Sequence, residues 1–235
     1  MVDSETPCPC MCLGAHTGPG AGAGQSASFN VSLGYDSSYF CRGLDAGDEV
    51  FSGSVTADVI VAPNLVWTLT ERYVYVDETQ FEENQLYTGL FYKVGALSFG
   101  PSVRWYHNEQ GAPFRDYYDL GFQALVKVGL LNLYSGYYYE TESEGQFFEV
   151  GATATIKLTE KVSLVPAAEV SYTDGWLAGP RVKGWNIVNL RLSVPVKVTE
   201  NLSFVPYVGA ALPLDALKDM QDNRLIWGAT LSATF

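Results

Sequence analysis

The chain has 235 residues, with 26 acidic against 14 basic side chains and a formal charge of −12. That balance excludes the basic face that nucleic-acid binding requires. A hydrophobic fraction of 47% excludes an acidic disordered chain, and no apolar run reaches the ~18 residues of a membrane-spanning helix. Aromatic residues at 14%, 23 glycines and a mean hydropathy of only +0.03 fit an all-β protein, either soluble or in a membrane.

Residues 1–27 stand apart. They hold Pro7, Pro9, Pro19 and a Gly/Ala run from Gly18 to Gly24, a composition that buries no core and reads as a flexible tail. The tail has neither a basic start nor an apolar stretch of signal-peptide type, so no signal peptide is recognisable. Cys8, Cys10 and Cys12 form a C-x-C-x-C cluster, not the C-x₂-C spacing of zinc knuckles, and no metal or other cofactor is expected.

From Ser28 onward, apolar residues alternate with polar or small ones, the period-two signature of strands with one apolar face. The segments are Ser28–Asp36, Glu49–Ala62, Leu65–Tyr75, Gln85–Val94, Leu97–His107 and Tyr117–Val128. They continue with Leu130–Glu140, Phe147–Leu158, Val162–Tyr172, Trp185–Val198, Leu202–Pro213 and Arg224–Phe235. That makes twelve. The stretch Lys157–Pro166 matches Lys197–Pro206, so one hairpin is used twice. Short turns such as Ala62-Pro63-Asn64 and Gly95-Ala96 alternate with longer, acidic connections such as Asp36–Asp48, Val76–Asn84 and Leu214–Asn223. Alternating lengths predict an up-and-down meander with all long loops at one end.

A meander of this size must hide its edges, and closing into a barrel removes them. The strands are long enough to cross a bilayer at a tilt. The polar face is rich in Gly, Ser, Thr and Asn, suited to a wet interior. Aromatics such as Phe51, Tyr73, Trp105, Tyr137, Phe204 and Trp227 cluster near strand ends on the apolar face, as interfacial girdles do. These features predict an all-β fold: a transmembrane, antiparallel, up-and-down β-barrel of about 12 strands over 28–235, in contact with outer-membrane lipids. A soluble barrel of twelve such strands would overfill its core.

The end Trp227-Gly-Ala-Thr-Leu-Ser-Ala-Thr-Phe235 resembles the terminal strand signal of bacterial outer-membrane β-barrels. Tyr35-Asp-Ser-Ser-Tyr-Phe-Cys-Arg-Gly-Leu44 further resembles the Tyr-x-x-Arg-Gly segment of the TorF-type porins, with Cys41 as a departure. The resemblance implies a Gram-negative outer-membrane channel, assembled by the barrel-assembly machinery through the strand ending at Phe235. It would place Phe235 and the short turns in the periplasm and the acidic loops outside.

Sorting charges by face predicts a mixed, mildly basic lumen. The expected pore-lining residues are Arg72, Arg104, Asp119, Glu149, Glu169, Arg191 and Arg224, paired across the barrel as a solute filter or as a structural network. Lys93, Lys127, Lys157 and Lys197 read as rim residues that solvate the strand ends. The expected function is passive diffusion of small solutes. The alternative is a non-conducting or surface ligand-binding barrel, with Tyr134, Tyr137, Tyr138, Tyr139 and the acidic loops as the binding face. An outer-membrane hydrolase is the remote third reading. His107, beside Glu109 and Asp116, lacks a serine signature, so no enzymatic activity is expected.

Overall fold

A computed structural model describes residues 27–109, 116–175 and 182–235. The tail cysteines and His16 lie outside the described residues. Among the described residues no helix is long and apolar enough to cross a membrane; the secondary structure is a set of antiparallel strands. They are β1 (Ala27–Cys41), β2 (Leu44–Ala62), β3 (Leu65–Val76), β4 (Phe81–Val94), β5 (Leu97–Asn108), β6 (Asp116–Val128), β7 (Leu131–Glu140), β8 (Gln146–Ala154), β9 (Ile156–Lys157), β10 (Ser163–Asp174), β11 (Lys183–Ser193), β12 (Val196–Lys197), β13 (Leu202–Pro213) and β14 (Arg224–Thr234). β8 runs on into β9, and β11 into β12, so the fourteen segments form twelve staves. The second interruption falls at Pro195, whose missing N–H cannot join a ladder.

Each stave pairs with its neighbours in sequence, and the last pairs with the first, β14 on β1 from Thr234↔Asn30 to Gly228↔Asp36. The sheet is a closed, twelve-stave barrel. The repeated hairpin keeps its geometry in both copies. Thr159 Oγ1 accepts the Val162 amide at 3.0 Å, and Thr199 Oγ1 accepts the Leu202 amide at 3.0 Å. Both chain ends of the barrel and all short turns lie at one end; the long connections lie at the other.

Alternation then decides which residues face out. Leu33, Val55, Leu120, Phe122, Leu190 and Trp227 are exposed on the outer face, while their sequence neighbours point inward. Trp67, Tyr92 and Phe204, with the partly exposed Phe99, ring the outside near the short turns, and Phe51, Tyr73, Tyr118, Tyr137, Phe148 and Trp185 ring it near the long loops. Two aromatic belts bounding an aliphatic band are what a lipid-facing barrel wall presents.

One outward position breaks the band. Glu71, paired with Val55 and Leu86, sits halfway along β3 on the exposed face among apolar neighbours. In lipid a carboxylate there is costly; in water it would be harmless. Replacing it by leucine (Glu71→Leu) should therefore stabilise the barrel refolded into lipid vesicles by roughly 1–2 kcal/mol, less than the 2–4 kcal/mol cost of a midplane Lys or Arg. Urea unfolding monitored by tryptophan fluorescence measures this. A neutral or destabilising result would argue that the face is not lipid-facing.

Candidate functional site

The inward face is polar and crowded. Among the described residues, seven carboxylates (Asp36, Asp58, Glu83, Asp119, Glu140, Glu149, Glu169) and three arginines (Arg42, Arg104, Arg191) are buried. The mildly basic lumen expected from the sequence is thus corrected to an acidic interior. Lys127, Lys157 and Lys197 stand exposed at the short-turn rim and contribute nothing to it, whereas Asp36 and Glu83 turn inward.

Tyrosines reach across to the acids. Tyr138 Oη donates to Glu149 Oε1 at 2.9 Å, and Tyr134 Oη donates to Glu169 Oε2 at 2.9 Å, with Asn189 Nδ2 on the other oxygen at 3.2 Å. These rings can lie flat because inward glycines leave them room. A Cβ at Gly151 would meet the Tyr134 hydroxyl at 2.0 Å, and one at Gly121 or Gly136 would stand 2.7 Å or less from Tyr138. The tyrosine cluster of β7 therefore does not form one binding face. Tyr134 and Tyr138 point in, and Tyr137 and Tyr139 point out with the girdle, because successive strand residues face opposite sides.

The arginines are held mainly by rings. The Arg191 guanidinium lies 3.3 Å from the centre of the Tyr207 ring and donates through Nε to Ser193 at 3.1 Å. Arg104 lies 5.4 Å from the Tyr87 ring and donates to the Tyr106 hydroxyl at 3.0 Å. Arg72 is half-buried, 5.7 Å from the Tyr39 ring. Arg224 shares the inward register but sits at the mouth, 3.1 Å from Asp45 and 3.5 Å from Asp48, with 45% of its side chain exposed. It is a rim residue, not one of the interior set.

The largest departure from the sequence reading is the segment Asp36–Asp48. Its composition predicts a long acidic loop outside the barrel. Instead β1 and β2 run on as a hairpin that turns at Arg42-Gly43 and folds into the lumen. Pairing with the wall stops at Asp36↔Gly228 on one side and Val50↔Val76 on the other; beyond those points the hairpin pairs with itself. Gly47 (φ 124°) and Glu49 (φ 59°) supply the left-handed backbone where it leaves the wall, and Arg42 (φ 47°) and Gly43 (φ 91°) supply it at the tip.

Inside, the hairpin spans the mouth. Tyr39 packs against Val50, Val74 and Val76 of one wall, and Phe40 against Ile187, Tyr207, Ala211 and Ile226 of another. At the tip, Arg42 donates to Asp119 and stacks over Tyr138 at 4.3 Å and Phe147 at 4.8 Å. Asn186 Nδ2 donates to the Arg42 carbonyl at 2.6 Å, and Gln221 of the last long loop donates to the Gly43 carbonyl. A Cβ on Gly43 would stand 2.7 Å from Asn186 Nδ2 and 3.1 Å from both Ile187 and Leu217, so the tip abuts the far side. Leu217, fully buried, completes the seal with Tyr106, Tyr117, Tyr138 and Phe147.

The physical reason for the correction is local. Tyr39, Phe40 and Cys41 are too apolar to be left in water, and Arg42 answers buried carboxylates on the opposite wall. An aromatic pair followed by a lone arginine and glycine, inside an otherwise acidic loop, was the available signal. His107 is the next-to-last residue of β5, where its Nδ1 lies 2.7 Å from Asp116 Oδ1 and its ring lies tilted, 5.6 Å from that of Trp105.

No known family profile matches the chain, and no curated protein matches its sequence. Solved structures do match its shape. The translocator domain of the autotransporter NalP from Neisseria meningitidis superposes with a TM-score of 0.59 at 13% identity, covering 90% of this chain and 88% of that one. An outer membrane channel from Pseudomonas putida F1 gives 0.58 at 10% identity over 89% and 95% of the two chains. The KdgM porin gives 0.55 at 10% identity over 88% and 99%. The chain has the outer-membrane β-barrel fold.

The hairpin's hold on the wall is testable by stability. Arg42→Ala strands Asp119 without its guanidinium and should cost about 3–5 kcal/mol, the figure for removing one partner of a buried ion pair. The double variant Arg42→Ala/Asp119→Asn should recover a large part of that loss. Urea unfolding in vesicles reads both; equal costs for the single and double variants would show that the pair is not what seats the tip.

Proposed function

We propose that this chain is an integral outer-membrane barrel that acts as a porin-like channel for small solutes and is held closed by its own β1–β2 hairpin. One observation carries the reading. The barrel has an apolar outside and a charged, hydrogen-bonded inside, and a hairpin that leaves the wall, not the wall itself, fills its mouth. The shared fold with outer-membrane channels and a porin supports it. The TorF-type assignment rests on Tyr35–Leu44, whose Arg42-Gly43 is the tip of that hairpin. On this reading the short turns and Phe235 lie in the periplasm, where the barrel-assembly machinery would take the last strand, and the long acidic loops lie outside. Arg104, Asp119, Glu149, Glu169 and Arg191 line the route, with Arg72 beside the hairpin and Arg224 at its entrance.

A second reading, a non-conducting barrel, is favoured by the burial of inward residues near the short-turn end as well. Thr68 and Asn132 there are only 1% and 3% exposed. Planar-bilayer recording separates the two. The full chain should show small or rare openings. A variant with Ser38–Gly47 replaced by a two-residue Asn-Gly turn should show a markedly larger, steady conductance. Silence from both would overturn the channel reading and leave the non-conducting barrel.

A further inference from the structure

The place where Arg42 docks has the chemistry of a binding site in its own right. Two aromatic rings, Tyr138 and Phe147, face the guanidinium at 4.3 and 4.8 Å, and Asp119 accepts its N–H. Rings and a carboxylate converging on one cation are how proteins recognise guanidinium and ammonium groups. The wall carries more acid than Arg42 uses. Glu149 and Glu169, both buried, line a small cavity beside the arginine together with Ser171 and Asn189. Glu149 keeps one oxygen, Oε2, buried with no hydrogen-bond partner, an acceptor left over at the edge of that cavity. An orphaned buried carboxylate oxygen is costly unless something donates to it. Ionisable groups buried at membrane depth, facing a cavity, mark solute pathways.

We propose that Asp119, Tyr138, Phe147 and Glu149 form a binding site for a guanidinium-bearing cationic solute, and that Arg42 occupies this site as a built-in stand-in while the barrel is closed. Asp119 takes one edge of the guanidinium, the rings take its face, and Glu149 Oε2 is free to accept a further N–H. A solute of this class competes with Arg42 for the same groups, so its arrival favours the hairpin's withdrawal. The role in transport rests on the channel reading above; the binding itself does not.

Calorimetric titration of the refolded protein in detergent micelles tests it, with butylguanidinium chloride as the probe and butylammonium chloride as the charge-matched control. Arg42→Ala should bind butylguanidinium at least ~10-fold more tightly than the wild-type protein, whose site is filled. Butylammonium should bind it several-fold more weakly, since a compact point charge neither forks between carboxylates nor stacks as a planar guanidinium does. Adding Asp119→Asn to Arg42→Ala should weaken binding again by ~10-fold or more. If Arg42→Ala loses the gel mobility of the folded barrel, the shortened-hairpin variant replaces it with the same expectations. Equal binding by wild type, Arg42→Ala and the double variant, or none to any of them, overturns the proposal. A variant that binds butylguanidinium but passes no current would sink the channel reading and leave the site standing.

Discussion

A strand makes only half of its structure by itself; its backbone N–H and C=O groups must be met by neighbours. In a sheet that ends, one row on each edge is left for water or another chain. Here the ladder from Asn30↔Thr234 to Asp36↔Gly228 removes both edges at once, and everything else follows from that closure. Once the sheet is a tube, alternation becomes a division between an outside and an inside. Apolar residues such as Leu33 and Trp227 turn outward, and their polar neighbours are committed to a confined interior.

Confinement sets the second constraint. Twelve staves enclose a narrow space, and the sequence sends carboxylates, arginines and tyrosines into it together. Buried charge is tolerated only when paired and hydrogen-bonded. The interior answers with hydroxyls on carboxylates, Tyr138 on Glu149 and Tyr134 on Glu169, and with rings under guanidinium groups, as in Arg191 over Tyr207. Inward glycines belong to the same solution, since they let the rings lie against the wall. The hairpin extends the arrangement to the mouth. Its apolar flanks and single arginine find, inside the barrel, the partners that an external loop would lack.

Much of this was legible in the residues. The twelve alternating segments match the twelve staves, because a strand's two faces are written at a period of two and need no knowledge of the fold. The repeat at Lys157–Pro166 and Lys197–Pro206 was equally visible, and its two threonine-capped turns have the same bonds. Other features were hidden by the same method. Glu71 escaped notice inside an apolar pattern that predicted its neighbours well. Glu83 falls in what reads as a loop, and Asp36, the last residue of its strand segment, does not enter the charge count of the inner face, so the interior looks basic. The tyrosines of β7 looked like one cluster only while the direction of each side chain was ignored.

The sequence by itself determined the strands, their faces and the antiparallel order, since these depend on near neighbours and on the length of each turn. Tertiary structure alone decided where the first hairpin goes. Whether Tyr39, Phe40 and Arg42 lie in water or in the lumen depends on Val74, Asp119, Tyr138 and Ile187, far along the chain, which closure of the barrel brings opposite them. An acidic loop with a lone arginine has no preferred direction until a buried carboxylate stands across the barrel to receive it.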